Sequence, residues 1–496
     1  MRGWTGILVV LSLVTVLAQA QSPAPQTTND PFPPLEATEG VIALKFAEFA
    51  VIPDFVNNSV NSAPRMMSFA DETATKRFFI TTMPGIVYSL SYDGKTVTPY
   101  LDVNAAEWAT PVQSQGAERG LQSFAFHPQF AQRGTPGYGK FYTHVDTSNM
   151  TPKADFTSPA PNRTHDTVLL EWTAKDHAAA KYDGGAPREL FRAAHPFGNH
   201  NGGHIAFNPL AKAGAGDFGL LYVGFADGGS GGDPFNQAQD KSSAFGKILR
   251  IDPLGTNSAN GKYGVPASNP FVNDKGGLGE IYATGVRNPQ RFAWDAKTAA
   301  MYVADIGQNL VEEISPVTSG ANLGWNKWEA SYQYQGKVVS LDNPRSEPGL
   351  TWPIVEFDHR DPILQTSTAI TGVFVYRQNA VPQLANRMIF GDIPSGEVFH
   401  VDANALPKGG HTAIRRVLFL DETGARKTLL QLIQDKNQAQ GKKPAPRADL
   451  RLGVSNDGRI FVMNKRDGIV RVLVSPGAAP SADRPPMPAA PAPASR

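Results

Sequence analysis

Hydrophobic and polar positions alternate with a period of two over many short stretches of this chain, the pattern of strands that bury one face. Strand-like segments carrying an aromatic residue recur at Phe79, Tyr142, Tyr222, Tyr302, Phe390 and Phe461, at intervals of 63 to 88 residues. Most are followed by a glycine-bounded alternating run, at Gly85, Gly246, Gly396 and Gly468, and Thr167-VLLEW fills that slot in the second copy. Several copies open with a strand that ends in turn chemistry, as in Phe124-AFHP, Ile205-AFNP, Phe292-AWD and Leu452-GVSNDG. Each unit is too small to bury its own faces, so six copies predict a radial array: an all-β fold, a six-bladed β-propeller with long inter-blade loops. Val41-IALKFAEFAVI supplies a strand to complete the last blade beside Gly468-IVRVLV. Two stacked β-sandwich domains are the competing architecture, but no obvious linker separates them.

Composition narrows the picture. With 47 Gly and 40 Pro in 496 residues the chain is turn-rich. The 46 basic and 45 acidic residues leave a net charge of +1, which offers no overall field for a nucleic acid or an anionic membrane. The absence of cysteine excludes disulfides, thiolate zinc, iron–sulfur clusters and covalently attached c-type haem. Arg2, the apolar run Ile7–Leu17 and Ala18-Gln19-Ala20 form a secretory signal-peptide pattern over 1–20, with a retained N-terminal anchor as the alternative. Residues 21–40 are expected as a linker and 41–474 as the propeller. The Pro/Ala-rich stretch 475–496 is expected as a disordered tail. No later run reaches the roughly 18 apolar residues of a membrane span, so a periplasmic or secreted protein without a span in its mature chain is expected.

The densest chemistry lies in the third and fourth repeats. His200 and His204, in Asn199-HNGGH, sit at a strand entrance among glycines that let a flat ligand approach the backbone. Histidine titrates near neutrality and suits a general base; the alternatives are a loop histidine bonded to backbone, or a pair of metal ligands lacking a third. Asp227 and Asp233 bracket a run of glycines that could cup calcium or form a tight rim loop. Arg287-Asn288-Pro289-Gln290 sets a cation beside an amide, suited to an oxygen that gains negative charge, or to an inter-blade ion pair. The bend at Gly307-Gln308 leaves carbonyls free for a ligand or cation. Trp325 and Trp328 offer a sugar-stacking surface or blade packing.

The ordered motifs GLQSFAFHP, HNGGHIAFNP, ADGGSGGDP with GKILRIDP, GVRNPQRFAWD, ADIGQNLVEEI and NLGWNKWEA resemble the glucose/sorbosone dehydrogenase family over most of Val41–Val474. That resemblance implies a six-bladed propeller that binds pyrroloquinoline quinone (PQQ) with calcium and oxidises aldose sugars at the anomeric carbon. The family also includes hedgehog-interacting-protein-like members not known for that chemistry, so family is not activity. By the resemblance, His200 matches the general base, and Asn199 stands where the quinoprotein enzymes carry an acid. Arg287 and Asn288 match the quinone-oxygen contacts, and Gly307 and Gln308 match the calcium-holding carbonyls. Glu118, Arg287, Asn288, Gln290, Arg447 and Arg451 are the candidate cofactor contacts. Glu118 replaces a glutamine and needs a partner, for which Arg119 is at hand. Ile306 replaces a polar contact, Pro394 and Ser395 fall near an expected lysine, and Arg447 and Arg451 are shifted from expected arginines.

The resulting expectation is an exported quinoprotein that oxidises a sugar or related alcohol and passes electrons to a separate cytochrome or quinone. A non-catalytic carbohydrate- or protein-binding propeller that has lost PQQ, and a calcium-dependent lactonase-like hydrolase built on Asp227 and Asp233, are the alternatives.

Overall fold

The computed structural model describes residues 30–474 apart from 58–59, 337 and 365–367. The expected signal peptide, the first part of the linker and the expected tail lie outside the described residues. Four separate four-stranded antiparallel sheets are formed, and a longer sheet resolves into two more such sets joined by a short parallel pairing of Ile42–Leu44 with Val417–Phe419. These sets are the blades of a β-propeller. Their innermost strands are Met66–Glu72, Leu121–Phe126, Ile205–Phe207, Pro289–Trp294, Ile370–Tyr376 and Arg451–Val454. The recurring aromatics Phe79, Tyr142, Tyr222, Tyr302, Phe390 and Phe461 all fall on the second strand of a blade and are all buried.

The core is divided as a ring of blades requires. Each of six large apolar clusters draws on two successive blades: Leu169 and Phe191 meet Leu221, Phe225 and Leu249 across one interface, and Ala50 and Phe461 meet Phe78 and Tyr88 across another. A four-stranded sheet has two faces and no core of its own, so each blade is stable only between its neighbours. The ring closes where Ile42–Val51 runs antiparallel to Ile469–Val474, so the first described strand is the outer strand of the last blade. The two ends of the propeller are thereby joined by ladder hydrogen bonds rather than by side chains alone.

Two local findings depart from the sequence reading. Residues 30–40 do not form a free linker: Leu35 is buried between two blades with its N–H on Asp361 (2.6 Å), and Phe32 packs edge-on against His411. Among the described residues one α-helix, Leu429–Ala439, interrupts the all-β pattern. It starts at a capping box in which Thr428 and Gln431 satisfy each other's backbone N–H groups, and it buries Leu429, Leu430, Leu432 and Ile433 against the last two blades.

The innermost strands carry a repeated irregularity that builds the top of the central channel. In four blades the pairing of the first strand shifts by one residue near its start, leaving Met67, Gln122, Gln290 and Gly372 as the extra residue. A bulge turns its side chain out of the alternating pattern. Met67, Gln122 and Gln290 consequently face a shared cavity at that end of the channel.

Leu44, fully buried where the closing strand meets the fifth and sixth blades, tests the closure. Leu44→Ala is expected to lower the free energy of unfolding by ~2–5 kcal/mol, the cost of a core leucine truncation, as read by equilibrium denaturation.

Candidate active site

The cavity has a volume of about 490 Å³, within the range of ~300–1,000 Å³ that holds small-molecule cofactors and substrates. Loops that connect the blades supply its chemistry. His200 stands at its wall with a left-handed backbone (φ 55°). That conformation is costly for a non-glycine residue, and Glu118 stabilises it by accepting the His200 backbone N–H at 2.6 Å. Glu118 also meets the Asn288 side-chain amide at 3.4 Å. Arg119, the neighbour expected to pair with Glu118, instead donates to Gln113.

The His200 imidazole is held at both ring nitrogens. Nδ1 lies 2.6 Å from Asp227 Oδ1 and Nε2 lies 2.8 Å from Arg287 Nη2. A guanidinium has only donors, so Nε2 must accept; the ring proton is then on Nδ1 and is donated to the carboxylate. This is the tautomer a general base requires, with the Nε2 lone pair directed at the cavity side and the resulting cation already paired. Asp227 is fixed in turn by the Gly229 N–H (2.9 Å) and the Trp325 indole N–H (2.8 Å). Burial works to raise its pKa, but the His200 imidazole, followed by Arg287 and the Gly229 amide, holds it below the ordinary carboxylate value.

Asn199, expected beside the base, does not reach the cavity: its Oδ1 accepts the Ser230 N–H at 3.0 Å. The acid that orients His200 is Asp227, 27 residues away in sequence. His200 itself carries the left-handed backbone, so its side chain and that of Asn199 before it point to different places. His204 is also turned away, half-buried with Nε2 on the Phe292 carbonyl, so the two histidines do not share a ligand.

Arg287 donates to the Ile306 carbonyl (2.8 Å) and to Gln308 Oε1 (3.1 and 3.0 Å) as well as to His200. Its backbone N–H and that of Asn288 both go to Asp305, at 2.8 and 2.6 Å. Burial raises Asp305 to about 7 against those two amides, and Glu313, its partner directly across the strands, is raised by burial and by Asp305 itself. Burial and mutual repulsion thus push both carboxyl groups toward the protonated form beneath the Arg287–Asn288 corner. Gln290 lines the cavity with its Oε1 accepting from Thr371 (2.8 Å).

Gly307 and Gln308 also line the cavity. The N–H groups of Gln308, Asn309, Leu310 and Val311 all converge on Glu329 Oε1, at 2.6–3.1 Å. In a trans peptide the carbonyl points opposite to the following N–H, so the Gly307 and Gln308 carbonyls are directed away from the buried Glu329. A carbonyl pair held in this way suits a hard cation such as calcium. The Asp227–Asp233 loop does not: Asp233 accepts the Gln237 and Ala238 N–H groups (2.9 and 2.8 Å), and Asp227 is committed to His200. Among the described residues no three His, Asp or Glu side chains converge to hold a metal. The hydrolase alternative thus lacks the metal cup it needs.

Charge is the other feature of the cavity. Arg287, Arg447, Arg451 and Lys465 face it, against a single carboxylate, Glu118. Burial lowers Arg451 to about 10, and its Nε has no hydrogen-bond partner among the described residues. Lys465 was not singled out from the sequence; it lies on no motif, and only the fold brings it beside Arg451. A wall with more cations than carboxylates, and an unfilled donor at Arg451 Nε, fits a ligand that carries carboxylates. Trp325 and Trp328 are both buried, so they pack the site rather than offer a stacking surface.

A family model described as Glucose / Sorbosone dehydrogenase matches residues 61–427. The chain is 30% identical over 359 residues to the HIPL1 protein of Arabidopsis thaliana, covering 64% of this chain and 49% of that one. It thus spans about half the length of the curated relatives it matches. The solved soluble aldose sugar dehydrogenase of Escherichia coli, in its apo form, is similar with a TM-score of 0.57 at 19% identity, over 85% of this chain and 97% of that one. The PQQ-bound aldose sugar dehydrogenase of Streptomyces coelicolor is similar with a TM-score of 0.53 at 18% identity, over 86% and 97%. At such identities these two structures bear on the fold alone.

Asp227→Asn is expected to release His200 from its single tautomer, read as a change in the imidazole nitrogen shifts by NMR. The folded pKa of Asp227 lies below the unfolded one, so its contribution to stability is present above the ordinary carboxylate pKa of ~3.9 and is lost as pH falls through the lowered value. The stability gap between wild type and Asp227→Asn should therefore be full near pH 6 and close in acid, as checked by denaturation at a series of pH values.

Proposed function

The chain belongs to the glucose/sorbosone dehydrogenase family, and on that premise we propose that it is an oxidoreductase that oxidises a sugar or related alcohol with PQQ and calcium. The observation that carries the proposal is the pairing of a base-competent His200 with a cavity wall of four cations and one carboxylate. Arg451, whose Nε is without a partner among the described residues, would hold a carboxylate of the cofactor, Arg287, Asn288 and Gln290 its oxygens, and the Gly307 and Gln308 carbonyls the calcium, whereas Arg447 is already paired with Asp449. When bound, PQQ supplies the two-electron acceptor for the hydride that leaves the substrate carbon.

The chain's own residues handle the proton. His200 Nε2 takes it from the substrate hydroxyl, and Asp227 stabilises the imidazolium that results without itself accepting it. Nε2 is engaged by Arg287 Nη2 in the free protein, so the incoming hydroxyl must take that place. Arg287 can yield it because the Ile306 carbonyl and Gln308 side chain keep it in position. Once His200 is cationic, repulsion favours Arg287 turning its charge toward the oxygen that becomes negative. Lining residues such as Met67 and Ile306 limit water near the reacting atoms.

An exported protein, periplasmic or secreted, that delivers electrons to a separate cytochrome or quinone accords with a chain that has no cysteine for a covalent haem. Among the described residues no helix is long and apolar enough to cross a membrane.

The decisive experiment titrates metal-stripped protein with PQQ and Ca²⁺, then adds a panel of aldoses and a redox dye. Saturable binding followed by sugar-dependent dye reduction is the expected result; no binding at micromolar PQQ would refute the reading in favour of a non-catalytic propeller. His200→Asn, chosen because asparagine tolerates a left-handed backbone, should retain PQQ and lose ~10²–10⁴-fold in kcat, the usual cost of a missing general base.

A further inference from the structure

Next to the main cavity lies a smaller one of about 160 Å³ that shares Ala117, Arg447 and Lys465 with it and is otherwise lined by Arg65, Met83, Gly116, Asp449 and Arg466. The two therefore adjoin, and the smaller one is an annexe of the larger. Its walls carry four cations, Arg65, Arg447, Lys465 and Arg466, against one carboxylate. Asp449 is fully used: Oδ1 accepts from Arg447 and Oδ2 from Arg466, each at 2.5 Å. Arg65 has only backbone carbonyls as partners here, those of Ser114 and Gly116. Lys465 is buried, with Nζ on the Ala117 carbonyl at 2.7 Å. Burial, then the like charges of Arg451 and Arg65, push its ammonium far below the usual lysine value despite Asp449.

Asp449 offsets one of these partly buried charges, and the remaining like charges repel unless a further anion joins them. Glu118 cannot serve, because it holds the His200 backbone. The Arg447 and Arg466 side chains are each about one-third exposed (34%), so the annexe is reachable from solvent. Its size suits one small tetrahedral or planar anion, and two arginines beside a lysine are the donor set that recognises such groups.

We propose that this annexe is an oxyanion subsite that seats a carboxylate or phosphate carried by the molecule oxidised in the adjoining cavity, so that the substrate is an anionic sugar or sugar-like alcohol. The subsite stands on its own geometry; the identity of its occupant as substrate rests on the oxidoreductase reading.

The test is a calorimetric titration of inorganic phosphate into the full protein, with and without saturating PQQ and Ca²⁺, repeated with Arg65→Gln and Arg466→Gln. One phosphate per chain is expected, bound equally with and without the cofactor and weakened about tenfold or more in each variant. Arg466→Gln loses only a contact to Asp449 and keeps the test open if Arg65→Gln does not fold. Absence of saturable binding, or variants that bind like wild type, overturns the subsite. Displacement of phosphate by PQQ overturns the substrate assignment and gives the annexe to the cofactor. Phosphate binding in a protein that takes no PQQ supports the subsite while refuting the oxidoreductase reading, so the two fail separately. With turnover, a hexuronate should exceed its uncharged hexose at least tenfold in kcat/KM, a preference that shrinks in Arg466→Gln; equal values overturn the assignment.

Discussion

The closing ladder between Ile42–Val51 and Ile469–Val474 is the constraint on which the rest of the molecule depends. No blade has a core of its own; the apolar clusters lie between blades, so each is complete only when the ring is. Pairing the first described strand with the last turns a row of sheets that could open at one end into a closed structure with backbone hydrogen bonds at the seam. Closure also defines the central channel, and with it a place where loops from distant repeats converge.

The site follows from that geometry in two ways. Bulges at the starts of innermost strands aim Met67, Gln122 and Gln290 inward from three different blades. Loops after the strands then bring in the charged groups, and burial makes each of their interactions stronger than it would be in water. The result is an ordered chain of fixed groups: Trp325 and Gly229 orient Asp227, Asp227 orients His200, and Glu118 holds the backbone on which His200 sits. Arg287 completes it from the far side, anchored through its own backbone to Asp305. Around this centre lies a rim in which arginine and lysine outnumber the carboxylates Glu118 and Asp449, which is an arrangement for a ligand that brings negative charge.

Much of this was legible in the residues. His200, Arg287, Asn288, Gln290, Gly307, Gln308, Glu118, Arg447 and Arg451 all line one cavity, though 333 positions separate the first from the last in the chain. Their motifs could be read because each sits at a strand boundary marked by glycine, proline or asparagine. What was misread shares one cause. Asn199 lies beside His200 in the chain yet bonds Ser230, and Arg119 lies beside Glu118 yet bonds Gln113, because sequence adjacency is not spatial adjacency. Lys465 and the Arg65–Arg466 annexe were missed because single basic residues in unrelated loops leave no local signal. The helix Leu429–Ala439 was overlooked in a chain whose other elements alternate with period two, although Thr428 and Gln431 mark its start.

The sequence by itself determined the all-β class, the repeat that makes a radial array, and the residue types able to take a proton or stabilise negative charge. These are properties of local backbone preference and side-chain chemistry, and they need only neighbours a few positions away. The tertiary structure alone decided which carboxylate orients His200, which tautomer the ring adopts, and how far positive charge outweighs negative around the cavity. Those depend on distances of a few ångströms between residues tens to hundreds of positions apart, set by closure of the ring and by the burial that strengthens every unpaired charge within it.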